Sequence, residues 1–192
     1  LVEFFTLDRK DRSVKFNWIK ACLVLISFGL LGVVLYKYML PPNLDDIKLA
    51  DELHPIVAEK KDELIQRANE LDIPIIITAG YRSLEEQNEL YEKGRLNTGN
   101  IVTYAKGGES LHNFGLAIDF AILNKQGEAI WDMDYDGNDN RKSDWMEVVT
   151  IAKGLGFEWG GDWPGFKDYP HLQMTFGLSL RELQQGRQPK GQ

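Results

Sequence analysis

Two short stretches of the chain concentrate groups able to do chemistry: Ser110-Leu111-His112-Asn113-Phe114-Gly115-Leu116-Ala117-Ile118-Asp119 and Asp168-Tyr169-Pro170-His171. His112, Asp119 and His171 supply two imidazoles and one carboxylate, donors that zinc accepts. Three protein ligands leave a fourth tetrahedral position for water, as in catalytic rather than structural zinc sites. Zinc brings the pKa of its water down to about 7 and polarises a carbonyl, and hydrolysis of a peptide bond needs both effects. A proton must also pass from the attacking water to the leaving amine. Asp168, three residues before His171, is placed to carry it without binding the metal. A histidine taken singly is more often structural than a ligand. The conjunction with a carboxylate on the inner face of a strand points to a metal, because a buried, unpaired carboxylate is costly.

The elements around these residues decide whether they can meet. In a helix, residues 112 and 119 would stand roughly 10 Å apart along the axis, too far for one ion. Instead Leu116, Ile118, Phe120 and Ile122 alternate with Ala117, Asp119 and Ala121, the pattern of a half-buried strand with Asp119 on its less bulky face. Gly115 allows a bend that folds His112 back over that face. His171, Gln173 and Thr175 alternate with Leu172, Met174 and Phe176, so a second strand can present His171 to the same side. Pro170 disfavours helix at Tyr169, so Asp168 approaches from a turn.

Elsewhere the pattern predicts a mostly helical stretch from Leu44 to Leu71, with Pro55 at a break or a start, and a strand over Ile73 to Thr78. A helix follows from Ser83 to Lys93, capped by Ser83 with Glu86 three residues on and stopped by Gly94. Gly99, Gly107 and Gly108 mark a loop, and Asp144 to Lys153 reads as a helix ending at Gly154. The expected fold is α+β: a single small domain with a central antiparallel sheet flanked by helices, preceded by one transmembrane helix.

That last element comes from the N-terminal composition. Ala21 to Tyr36 holds no charge, and Trp18, Ile19, Tyr38 and Met39 extend the run to about 20 residues, a bilayer-spanning length. Arg9, Lys10, Arg12, Lys15 and Lys20 precede it while Lys37 and Lys48 follow, which puts the N-terminus in the cytoplasm and the domain outside. A cleaved signal would need a small-x-small site after the run, where Tyr36-Lys37-Tyr38-Met39-Leu40-Pro41-Pro42 stands instead. A buried soluble helix would carry a polar face. The organisation read from these signals is a cytoplasmic segment 1–17, an anchor 18–40, a linker 41–50, a zinc peptidase domain 51–177 and a C-terminal tail 178–192.

Of the chain's 22 Lys/Arg and 29 Asp/Glu, six and three lie in the first forty residues, leaving 16 against 26 in an acidic domain that phosphate backbones would repel. Nucleic acid is therefore excluded as a partner. The single cysteine, Cys22, lies in the apolar run, so no disulfide forms within the domain.

The pattern Ser-x-His-x-x-Gly-x-Ala-x-Asp, followed by an acid-x-x-His, resembles the signature of the zinc D-alanyl-D-alanine carboxypeptidase superfamily. Gly80-Tyr81-Arg82-Ser83, Glu86-Gln87, Leu90-Tyr91, Gly94-Arg95 and Gly156-Phe157-Glu158-Trp159-Gly160-Gly161-Asp162-Trp163 are similar to its branch of peptidoglycan L-alanyl-D-glutamate endopeptidases. The resemblance runs from about Leu53 to Thr175. It implies one Zn2+ per chain on His112, Asp119 and His171, Asp168 as general base, and Arg82 stabilising the charge on the carbonyl oxygen. By residue type alone Arg82 reads as a surface residue. Ser110, Tyr81 and Gln87 enter as supporting residues of the same motifs. Asp rather than Glu at position 168 favours the endopeptidase branch over the carboxypeptidases.

Two side features have duller explanations beside the functional ones. Asp132 to Asp139 looks like the start of a Ca2+ loop, yet Ser143 stands where a bidentate Glu belongs, and an Asp-Gly turn between two strands also explains Gly137. Trp159, Trp163 and Tyr169 either line a cleft for wall peptide or belong to the core. The resulting expectation is a monomeric endopeptidase acting on peptidoglycan stem peptides. The rival readings are a D-alanyl-D-alanine carboxypeptidase and a metal-containing wall-binding module without turnover.

Overall fold

The computed structural model describes residues 18–39 and 49–189. The chain divides into two compact units, Leu1–Pro41 and Pro42–Gln192. In the first, helix α1 spans Trp18–Met39, and its described side chains, Leu23 to Tyr36, are all exposed. Among the described residues no helix is long and apolar enough to cross a membrane. The expected segment 1–17 and most of the expected linker 41–50 lie outside the described residues.

The second unit is built on a five-stranded sheet. Its strands are β1 (Ile75–Ala79), β2 (Ala117–Leu123), β3 (Ala129–Ile130), β4 (Glu158–Trp159) and β5 (His171–Gln173). They lie in the order β1, β2, β5, β4, with β3 also paired to β2, and every pairing is antiparallel. The helices of this unit are α2 (Pro55–Asn69), α3 (Leu84–Glu92), α4 (Asp144–Gly154) and α5 (Leu180–Gln184).

Strand β2 organises the whole. Its Ile118, Phe120 and Ile122 are fully buried, and the Phe120 ring lies 4.5 Å from that of Trp145 on α4. Val57 and Leu64 of α2 and Val148 and Val149 of α4 join the same core. Burying each such side chain contributes about 1.5–3 kcal/mol. The alternate residues Ala117, Asp119 and Ala121 point the other way. Period-2 alternation thus commits one face of β2 to stability and leaves the other, lined by small residues, for chemistry.

Helix starts follow local capping. Ser83 and Glu86 form the expected reciprocal capping box on α3, and Ser143 accepts from the Met146 N–H at the start of α4. Helix α2 begins only at Pro55, because proline suits the first helical position and drives the residue before it out of the helical region. His54 accordingly sits at ψ 135°, and residues 49–54 are not helical as the longer expected stretch would have them. The expected tail also differs: after residue 177 the chain forms α5, with a capping box between Ser179 and Glu182, and buries Leu183 in the core. Leu178 and Leu180 pack against the same core, so three leucines on and beside a short capped turn are enough to dock it.

Gly115 is the pivot between the core and the metal motif. It sits at φ +66°, and a Cβ there would stand 2.2 Å from the Glu52 carbonyl oxygen. The Gly115 carbonyl also accepts from the His54 N–H at 2.9 Å. Gly115→Ala therefore meets both left-handed strain and backbone overlap, and should cost about 1–3 kcal/mol. Guanidinium unfolding should show a lower midpoint with an unchanged slope; an unchanged midpoint would contradict this role.

Candidate metal centre

Asp119 on β2 pairs in register with His171 on β5, so the cross-strand neighbours place a carboxylate and an imidazole on one face. His112 reaches them from a 3-10 turn, Leu111–Phe114, capped at its start by Ser110 and at its end by Gly115. One donor atom from each of His112, Asp119 and His171 lies within 4.8 Å of the others. Asp119 Oδ1 is 3.4 Å from His112 Nε2 and 3.2 Å from His171 Nδ1. Tetrahedral zinc with bonds near 2.0–2.1 Å sets neighbouring donors about 3.3 Å apart. Both separations fit that edge.

The outer nitrogen of each ring fixes which nitrogen faces inward. His112 Nδ1 lies 2.7 Å from the Gly80 carbonyl oxygen; a carbonyl only accepts, so Nδ1 holds the proton and Nε2 presents its lone pair. His171 Nε2 lies 3.1 Å from Gln173 Oε1. Gln173 Nε2 donates to Glu158 Oε2 at 2.7 Å, which orients the amide and leaves His171 Nδ1 as the inward lone pair. Glu158 is held in turn by the Thr175 hydroxyl, which donates to Oε1 at 2.8 Å. Two lone pairs and a carboxylate facing one another call for a cation between them. Outer-shell partners of this kind orient metal-bound histidines.

Asp119 is half-buried, and burial opposes its ionisation; with a proton rather than a metal on the inward nitrogens, hydrogen bonds and charge from His112 and His171 outweigh that and hold its carboxyl well below the usual carboxylate range. Asp168 goes the other way: burial pushes its carboxyl up, helped by the Asp119 charge and opposed by His171, His112 and Arg82. Their surroundings thus push the two carboxyls in opposite directions. A tight turn sets Asp168 there, with its N–H donating to the Gly160 carbonyl at 3.2 Å and its own carbonyl accepting from the His171 N–H at 3.3 Å. A Cβ on Gly160 would stand 2.3 Å from the Asp168 carbonyl oxygen, so glycine is required for the turn to close.

Arg82, whose type alone suggested the surface, is largely buried and sets Nη2 3.7 Å from Asp119 Oδ2. It follows the end of β1, where a register irregularity opposite Asp119 redirects the chain. The Ser110 hydroxyl accepts from the His112 N–H at 3.4 Å. Gln87 accepts from Arg82 Nη1 at 2.8 Å. Tyr81 is half-buried; burial first, then Asp51, Glu86 and Glu85, push its phenol up. The charges it feels are those rather than the metal group's.

Three residues did not stand out by type. Asn113 donates from Nδ2 to the carbonyls of Arg82 and Ser83 and accepts from the Gly108 N–H, pinning the arginine turn to the metal motif. Gln173 and Glu158 form the relay behind His171. Their only sequence signal was a polar residue two positions after His171 on the same strand face. Trp163 lies 5.1 Å from the His171 ring and Tyr169 is exposed, whereas Trp159 is buried and donates to the Tyr169 carbonyl. Trp159 is therefore structural. In the Asp-rich loop, Asp136 accepts from the N–H groups of Asn140 and Arg141, and Asp144 accepts from that of Gly137. The loop connects β3 to α4 rather than two strands.

Replacing Gln173 by Leu keeps all three inward donors but strips the acceptor from His171 Nε2. Zinc affinity should fall about 10- to 100-fold, read by competition with a chelating indicator. Unaltered affinity would mean that the amide does not orient the ring.

The D-alanyl-D-alanine carboxypeptidase family model matches residues 103–174, which include His112, Asp119, Asp168 and His171. The peptidoglycan L-alanyl-D-glutamate endopeptidase CwlK of Bacillus subtilis (strain 168) is 62% identical over 131 residues, 68% of this chain and 78% of that protein. The L-alanyl-D-glutamate peptidase of Listeria phage A118 is 35% identical over 104 residues, 54% of this chain and 31% of the phage protein. Among solved structures, the L-Ala D-Glu endopeptidase ChiX of Serratia marcescens aligns with a TM-score of 0.44 at 26% identity, covering 65% of this chain and 81% of that one. With 62% identity across most of the length of the Bacillus enzyme, this chain belongs to the peptidoglycan L-alanyl-D-glutamate endopeptidases of the D-alanyl-D-alanine carboxypeptidase superfamily.

Proposed function

We propose that the chain hydrolyses the bond between L-Ala and D-Glu in peptidoglycan stem peptides, with one zinc ion held by His112, Asp119 and His171. The observation that carries this reading is the convergence of those three donors beside an acid, Asp168, whose carboxyl burial pushes up. Zinc at such a site activates water and polarises the scissile carbonyl. Asp168 takes the proton from water as its oxygen joins the L-Ala carbonyl carbon. It then delivers that proton to the D-Glu nitrogen as the C–N bond breaks. Its upward-shifted carboxyl suits the second role. The Arg82 guanidinium supports the negative charge that grows on the carbonyl oxygen. His112 and His171, locked by Gly80 and Gln173, need no reorientation during turnover.

Digestion of purified wall by the full chain should expose new amino groups on glutamate. Release of terminal D-Ala instead would favour the carboxypeptidase reading. Asp168→Ala should lower kcat by about 10²- to 10⁴-fold while zinc content is retained. Equal activity in the variant would remove the proton-carrying role, and no cleavage by either protein would leave a metal-containing wall-binding module.

The same reading extends to location. Residues 18–40 act as a single-pass anchor with the domain facing the wall: the described side chains, Leu23 to Tyr36, are too few to span a bilayer by themselves, and the charge-free run from Ala21 to Tyr36 with its flanking Trp18, Ile19, Tyr38 and Met39 supplies the length, the basic residues before it the orientation. The chain should sediment with membranes and resist carbonate extraction. Recovery in the soluble fraction, or a mature protein lacking these residues, would contradict the anchor.

A further inference from the structure

We infer that Gln87 is a positioning residue of this site, which holds the Arg82 guanidinium in place and ties it to the loop preceding the metal motif. Gln87 is the one buried residue of α3, and it is fully buried. A helix docking on a core through a single position would ordinarily use an apolar side chain there. The amide is instead bonded at both ends: Oε1 accepts from Arg82 Nη1 at 2.8 Å, and Nε2 donates to the Ala105 carbonyl at 2.8 Å.

These partners admit one orientation only. A guanidinium donates and never accepts, and a carbonyl accepts and never donates. A flipped amide would set donor against donor and acceptor against acceptor, with no solvent to relieve either. Gln87 therefore fixes one nitrogen of Arg82 and leaves the other, Nη2, facing Asp119 Oδ2 at 3.7 Å.

The far end of the bridge is itself held. Ala105 N–H donates to the Thr103 hydroxyl at 3.2 Å, and Arg95 Nη1 donates to the Thr103 carbonyl at 2.9 Å. One residue along α3, Asn88 Oδ1 accepts from the Gly107 N–H at 2.8 Å. Gln87 and Asn88 together clamp the segment 105–107 onto α3, so the seat of Arg82 depends on where that segment lies. A sequence whose helix has one inward polar residue thus joins local structure, loop position and the orientation of a charged group at the site.

The inference rests on the proposed role of Arg82, and its test separates the two. Gln87→Met keeps the volume and removes both bonds. On a defined soluble muropeptide, kcat should fall about 10- to 100-fold with KM and zinc content little changed. In an Arg82→Lys background the same substitution should have no more than about a two-fold effect, because two residues acting as one unit are not additive. Equal losses in both backgrounds would overturn the inference. Independently of any substrate, the Arg82 Nε–H group should be ordered on the nanosecond timescale by NMR in the parent and mobile in Gln87→Met. Gln87→Glu, which keeps an acceptor for Arg82 and loses the donor to Ala105, should restore that order without restoring full kcat, and it serves if the methionine variant does not fold. Unchanged Arg82 order in both variants would overturn the inference, whereas a parent that cleaves no L-Ala to D-Glu bond would overturn the reaction and leave the NMR result to decide the role of Gln87.

Discussion

A half-buried carboxylate facing the lone pairs of two imidazole nitrogens is unfavourable unless positive charge lies among them. Much of the second unit is arranged to create that situation at one point. The Asp119 and His171 pair needs β2 and β5 antiparallel and in one register; a slip by one residue would turn His171 into the core and Leu172 toward the site. His112 arrives from the opposite direction, and only because Gly115 turns the chain back within one residue. The Gly80 carbonyl and the Gln173 amide then deny each ring its other tautomer.

This arrangement also explains the division of labour across the sheet. One face of β2 carries isoleucine and phenylalanine into α2 and α4, and the other carries alanines that leave space around Asp119. Stability and chemistry are thereby assigned to alternate residues of one strand. The glycines at 115 and 160 serve that second face: each permits a close backbone approach that a side chain would block, Gly115 between His112 and Asp119 and Gly160 against Asp168.

Much of this was readable in the residues. The spacing from His112 to Asp119 excluded a helix and required a strand with a bend before it, and that is the observed geometry. The capped start of α3 was likewise carried by local chemistry, which short-range sequence specifies well, whereas α4 runs through Gly154, where its end was expected, and turns only at the left-handed Gly156. The relay through Gln173 and Glu158, the Asn113 clamp and the Gln87 bridge were not readable as such. Each joins residues distant along the chain through bonds that depend on side-chain direction, and a buried glutamine looks no different in sequence from an exposed one. Helix α5 was missed because five residues give too little periodicity to recognise. The core held it through Leu183, with Leu178 and Leu180 packed beside it, rather than through a pattern long enough to read. Arg82 was misjudged by type and recovered only through the motif around it.

The central claim is that His112, Asp119 and His171 converge on one metal ion. Zinc K-edge X-ray absorption of the purified full chain, with the metal content measured on the same sample, tests it most directly. The account predicts one zinc per chain with two imidazoles and otherwise light oxygen ligands in its first shell, and loss of that signal in His171→Ala. A chain that binds no zinc, or one whose zinc shows a sulfur ligand or a single imidazole, would contradict it.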